Sequence, residues 1–331
     1  MSPLITTQPR AGLHPTTKSP CAASPFDHPK ADVILRSSDG IDFYVFKLLL
    51  TLASPFFEAM FDLPQPAVGT CDDTKDGFPV VNMQEDSKTL DILLRFFYPS
   101  TVAEDPSLES LTDILAIIGA ARKYSLDAAE TQVRQALVNP KVLKADPIRC
   151  FAIARNARFK DETMTAARYS LGQPLIPAYF PELELITASD LLALLVYHTK
   201  CSNAVESLLS KLDWVLNHYG TSDACSWLFC GDSWNSNGKH NCKRSTEAEF
   251  VLWSMHPVAW WVTYMQETFE ILRDRPTGDN VRAEAKKTIN MVKRAGCKAC
   301  AVQVEWNLEE FSRMFAVKVE EAIAPVRISL H

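Results

Sequence analysis

Ala31-Asp32-Val33-Ile34-Leu35-Arg36, Ser38-Asp39-Gly40 and Ile41-Asp42-Phe43-Tyr44-Val45-Phe46 decide how the first third of this chain folds. The outer runs are β-prone, and an Asp-Gly pair between such runs signals a hairpin, because these residues accept the backbone of a tight turn. Lys47 to Phe61 then reads as helix, interrupted at Ser54-Pro55. Serine there can cap and proline can open a second helix.

Working outward, Pro64 and Pro66 end the helical run, and an acidic loop from Cys71 to Gly77 leads into a short strand at Phe78-Pro79-Val80-Val81. Ser87 precedes a helix carrying Leu90, Ile92, Leu93, Leu94, Phe96 and Phe97, stopped by Pro99. Leu111, Ile114, Leu115 and Ile118 recur at helical spacing, and Leu126, Val133 and Leu137 continue the pattern in a further helix. Asn139-Pro140 closes an α+β domain over residues 30–139.

The order of these motifs resembles the BTB/POZ family, of the fungal (basidiomycete) type. The resemblance rests on Asp32 to Leu35, Phe43-Tyr44-Val45-Phe46-Lys47 and Leu52-Ala53-Ser54-Pro55-Phe56-Phe57-Glu58-Ala59-Met60-Phe61. Leu93-Leu94-Arg95-Phe96-Phe97-Tyr98-Pro99 and Ala120-Ala121-Arg122-Lys123-Tyr124 extend it. It implies an α+β BTB/POZ domain that binds other proteins without catalysis, with Met60, Phe61 and Tyr124 on its partner-binding face. Two departures stand out. Phe46 occupies a position where many members have histidine. Before Asp32 there is only a proline-rich stretch, where longer members carry an element exchanged between dimer partners.

Residues 1–29 hold Pro3, Pro9, Pro15, Pro20, Pro25 and Pro29 among hydroxyl residues. Such a segment buries too little apolar surface to offset its ordering, so a disordered tail is expected. Beyond it the composition, 47% hydrophobic and 22% charged, is that of a folded globular protein. No apolar run approaches the roughly 18 residues a membrane span needs, and the N-terminus lacks an export signal, so a cytoplasmic or nuclear protein is expected. A net charge of −6 argues against wrapping nucleic acid. The local exception is Arg282 to Lys298, rich in basic residues, which reads first as a solvated helix face.

Residues 140–220 read as a helical extension. Asp146-Pro147 opens a helix, Thr187 to His198 is apolar nearly all round and should be buried, and Val205, Leu208, Leu209, Leu212, Leu216 and Tyr219 form a stripe. Residues 221–331 form a Cys/Trp-rich helical domain. There Val258, Trp261, Val262, Met265 and Phe269 share one helix face, and Leu308, Phe311, Phe315, Val319 and Ala322 mark a closing helix.

Nine cysteines without an export signal favour reduced thiols or a metal site over disulfides. Cys297-Lys298-Ala299-Cys300 can grip one tetrahedral zinc if two further ligands arrive, and Cys230, His240 and Cys242 are the candidates. The 54 residues between Cys242 and Cys297 far exceed the spacing of a compact zinc finger. Basidiomycete BTB proteins have a similar C-terminal layout, which implies one structural zinc on Cys230, Cys242, Cys297 and Cys300, with His240 competing with Cys242. Two other readings stand beside it. The cysteines can pack as small hydrophobes, or the CxxC can be redox-active beside Lys293, Arg294 and Lys298.

No phosphate-binding glycine loop, GxSxG or HExxH is present, and the histidines are scattered, so an enzyme is not expected. The expected function is that of a non-catalytic adaptor acting through the BTB/POZ domain, with a homodimer among its associations. Two alternatives remain. One is a substrate adaptor of a cullin-type ubiquitin ligase, against which Asp62-Leu63-Pro64-Gln65-Pro66 breaks the helix that would carry an acidic anchor. The other is a transcriptional regulator with a zinc-supported C-terminal domain.

Overall fold

The computed structural model describes residues 20–63, 74–174, 176, 178–229, 242–295 and 297–330. The chain divides into two compact units, Met1–Ala136 and Leu137–His331.

In the first unit, β1 (Val33–Arg36) and β2 (Asp42–Val45) pair antiparallel, with Leu35 opposite Phe43 and Val33 opposite Val45. Gly40 takes the left-handed φ of 84° that the tight turn between them requires. Helices α1 (Lys47–Ala53) and α2 (Pro55–Asp62) follow, split as expected: the Ser54 hydroxyl accepts from the Phe57 amide and Pro55 opens α2. After β3 (Thr74–Lys75), β4 (Phe78–Asn82) runs parallel to β1, giving the sheet order β2-β1-β4-β3. Helices α3 (Ser87–Arg95), α4 (Leu111–Lys123) and α5 (Asp127–Leu137) complete the unit. Ile34, Leu35, Leu50, Leu93 and Ile114 are sealed in its core.

The tail expected over residues 1–29 is corrected at its end. Pro20 to Pro29 lie along the outer edge of β2: the Asp42 amide donates to Pro20 O (3.0 Å), the Ala22 amide to Asp42 O (2.9 Å) and the Tyr44 amide to Phe26 O (2.8 Å). Phe26 is fully buried against Phe43 and Tyr98. Prolines do not prevent this, because a segment that accepts along an edge needs few amide donors of its own. Residues 1–19 lie outside the described residues.

The second unit is helical. Its elements are α6 (Pro140–Ala145), α7 (Pro147–Asn156), α8 (Lys160–Ser170), α9 (Ala188–Ser210), α10 (Asp213–Tyr219), α11 (Ala259–Asp274), α12 (Gly278–Arg294) and α13 (Lys298–Ile323). Helices α12 and α13 form an antiparallel pair. At one end the Gly278 amide donates to Glu320 Oε1 (2.8 Å), and a Cβ at Gly278 would meet Ala316 Cβ at 3.0 Å, so a larger residue there would require α13 to give by a few tenths of an ångström. At the other end Lys293 meets Glu305 at 2.8 Å. The extension expected over 140–220 and the domain expected over 221–331 belong to one unit, for Trp214 of α10 stacks on Phe315 of α13 (4.9 Å, 23°). Phe311 is the aromatic hub, touching Trp214, Trp227, Trp261 and Tyr264. One more expectation fails: α9 is not buried all round, since Leu192 and Val196 face solvent.

Candidate metal centre and partner surface

Three cysteines meet where α13 begins. Cys297 stands at the N-cap position and Cys300 in the first turn, so the CxxC spacing brings both thiols to one helix end. Cys242 arrives from a different part of the chain. The Ala259 amide donates to Lys243 O (2.9 Å) and the Ser245 amide to Pro257 O (2.8 Å), which fixes Cys242 beside the start of α11. Its Sγ lies 3.1 Å from that of Cys300, and the sulfurs of Cys242, Cys297 and Cys300 all fall within 4.8 Å of one another. Around tetrahedral zinc, bonds of roughly 2.3 Å hold sulfurs nearly 4 Å apart, so this spread fits one ion.

Cys297 and Cys300 are buried and Cys242 half-buried. Burial pushes the Cys242 thiol far above its ordinary range, and the Cys300 and Cys297 sulfurs push it the same way. Without an ion the Cys242 thiol is thus held neutral, and a divalent cation would supply the charge that favours its thiolate. Of the expected ligands, Cys242, Cys297 and Cys300 come together, while Cys230 and His240 lie outside the described residues. Cys150, Cys201 and Cys225 are fully buried and pack as small hydrophobes; burial raises the Cys150 thiol to about 12.

The basic run from Arg282 to Lys298 lies mostly on the solvated face of α12, where Arg282 pairs with Asp279, Lys287 with Glu284 and Lys293 with Glu305.

In the first unit the expected partner face is only partly a surface. Met60 and Phe61 are half-exposed on α2, with Lys47 Nζ 5.4 Å from the Phe61 ring centre. Tyr124 is corrected: it is 4% exposed, stacks on Phe57 (5.4 Å, 19°) and donates its hydroxyl to Glu85. Its carbonyl accepts from Ser54 Oγ (2.5 Å), so it pins the end of α4 to the junction of α1 and α2. The sequence reading passed over Leu48 and Leu52, which share one face of α1 at 65% and 77% exposure. The signal that could have found them was Leu48-Leu49-Leu50-Thr51-Leu52, more leucine than one buried helix face can take.

This arrangement, a hairpin, a split helix pair, a parallel β4 and the closing helices, matches the family model of the BTB/POZ domain over residues 26–141. Residues 26–141 form a BTB/POZ domain. Its first matched residue is Phe26, the residue at which the N-terminal segment enters the core. No curated protein matches the chain. BTB/POZ domains are protein-interaction modules and often dimerise. Among the described residues no helix is long and apolar enough to cross a membrane.

Proposed function

We propose that this chain is a non-catalytic adaptor whose BTB/POZ domain binds proteins, a second copy of itself included, through the Leu48–Leu52 face of α1. The observation that carries the reading is the exposure of those two leucines on a helix of an interaction module. Covering each would contribute roughly 1.5–3 kcal/mol. Sedimentation equilibrium across the micromolar range tests self-association. Wild-type protein should dimerise, and Leu48→Asp/Leu52→Asp should be monomeric at an unchanged melting temperature. A monomeric wild type would remove the homodimer from the proposal.

The second unit, in this reading, presents whatever the adaptor recruits and is held by one structural zinc on Cys242, Cys297 and Cys300, with Cys230 as fourth ligand. Supporting Cys230 is the anchoring of its neighbours: Leu228 O accepts from the Val258 amide (2.8 Å), and Lys243 O from the next amide, Ala259. Four protein ligands leave no position for substrate, so the ion stabilises and does not react. A cullin adaptor is the more specific version, and co-purification of a cullin with wild-type protein would establish it.

A further inference from the structure

Cys242 and Cys300 hold their sulfurs in hydrogen-bond contact, 3.1 Å apart, although 58 residues separate them in the chain. Neither side of that contact is free to drift. After Cys242 the chain is tied to the approach to α11, where the Ser245 amide donates to Pro257 O (2.8 Å) and the Ala259 amide to Lys243 O (2.9 Å). Across the contact the Ala301 amide donates to Cys297 O (3.0 Å), closing the first turn of α13 around Cys300. A disulfide holds its sulfurs at about 2.0 Å, so closing this pair takes a movement of roughly 1 Å.

The three thiols of the cluster differ in access. Cys297 and Cys300 are 5% and 4% exposed, whereas Cys242 is half-buried, so a small oxidant from solvent reaches Cys242 first. A redox role for the CxxC alone would pair Cys297 with Cys300. The contact on Cys242 offers a different partner.

We propose that Cys242 and Cys300 are a site of reversible oxidation by hydroperoxides, and that their disulfide and a bound metal are alternative cross-links between the same two parts of the chain. The metal half of this rests on the zinc reading above; the disulfide half does not.

The Cys242 thiolate attacks the terminal oxygen of the hydroperoxide. An S–O bond forms, the O–O bond breaks, and the leaving oxygen departs as alcohol or water. The Cys300 thiolate then attacks the Cys242 sulfur; the S–S bond forms, the S–O bond breaks and a water leaves. Each leaving oxygen takes up one of the two thiol protons. The two sulfurs lose two electrons between them, and the peroxide gains two. The disulfide removes two ligands from the cluster, and those left cannot fill a tetrahedral site, so zinc departs. Because the new bond closes a long loop, it restrains the unfolded chain and keeps the second unit folded without the ion.

Elemental analysis of the full chain, purified without chelator, first fixes its zinc content and so tests the metal reading alone. The same protein is then treated with hydrogen peroxide, alkylated, digested and mapped by mass spectrometry, while a chromogenic chelator reads released zinc. Cys242–Cys300 should be the dominant linkage, with about one zinc released per disulfide, and dithiothreitol with added zinc should restore the starting state. Cys150, Cys201 and Cys225, all fully buried, should remain thiols. The oxidised, metal-free second unit should melt above the reduced, chelated one. Cys297→Ser keeps the pair and should still form the linkage; should that variant not fold, the wild-type map decides. Zinc-bearing protein that links Cys297 to Cys300, or passes to sulfinic acids without a disulfide, overturns the proposal and leaves the metal reading standing. Zinc retained at full disulfide formation overturns the exclusion of one state by the other. Zinc-free protein that forms the Cys242–Cys300 bond supports the oxidation site and overturns the metal reading.

Discussion

The ring of Phe26 meets the ring of Tyr98 edge-on, centroids 5.1 Å apart at 90°, with the Arg95 guanidinium 5.7 Å from the Phe26 centroid. A segment that composition marks as unstructured thus contributes a fully buried aromatic to the BTB/POZ core. Phe26→Ala should cost the domain about 3–5 kcal/mol, as aromatic truncations in packed cores do. Chemical denaturation of residues 20–141 checks it. A loss near zero would mean the segment rests on the surface without supporting it.

Asp42, fully buried on β2, is bound by Arg36 (2.6 Å) and Lys75 (2.5 Å). Burial pushes its carboxyl up, but the hydrogen bonds and charges of Arg36 and Lys75 win and hold it below the usual carboxylate range. The sign follows: a depressed carboxyl stabilises the fold above its unfolded pKa of roughly 3.9 and ceases to as pH falls through the folded value. Asp42→Ala removes the carboxylate that Arg36 and Lys75 share and should cost roughly 1.5–3 kcal/mol at neutral pH, as lost hydrogen bonds to a charged group do. Asp42→Asn should lose the acid dependence as well.

His198 sets an earlier acid limit for the second unit. It is buried on α9, and Ser170 Oγ lies 2.8 Å from Nε2. Because that hydroxyl donates to Ala167 O, Nε2 carries the proton, and Nδ1 has no hydrogen-bond partner among the described residues. Burial lowers the imidazole from 6.5 to about 4, with Asp274 opposing. The unfolded chain then binds the extra proton first, so stability should fall between pH 6.5 and 4, by about 3 kcal/mol in all. The second unit should melt at a higher pH than the BTB/POZ domain, and His198→Gln should flatten its dependence over that window.

Metal content tests the cysteine cluster. Protein purified without chelator should carry about one zinc per chain, lost in Cys297→Ser or Cys300→Ser. Chelation should lower the melting temperature of the second unit and leave the BTB/POZ domain unchanged, because ligation energy is folding energy. Comparing Cys230→Ser with His240→Ala identifies the fourth ligand. Metal-free protein with an intact second unit would reduce the cluster to packed thiols.

The strands, the Ser54-Pro55 break and the later BTB/POZ helices were legible because local patterning and long-range packing agree there: Leu35 and Phe43 are both β-prone and both buried. Phe26 was not, since nothing local distinguishes an edge segment that ends in the core from a solvated tail. Tyr124 was misplaced because a motif gives a residue's identity and not which side of the helix end it packs. Cys242 joined Cys297 and Cys300 across a long stretch of chain, a closure that spacing alone left open among Cys230, His240 and Cys242. The unity of α10 with α13 escaped notice because the stripe on α10 does not say which helix will cover it.

The central claim is that the α1 leucines form the protein-binding surface of the BTB/POZ domain. Its most direct test is parallel affinity capture with wild-type chain and Leu48→Asp/Leu52→Asp as baits, in cells also expressing a differently tagged second copy. The account predicts that wild-type bait recovers the second copy and its partner proteins, and that the variant, equally folded, loses them. Recovery of the same set by both baits would contradict it.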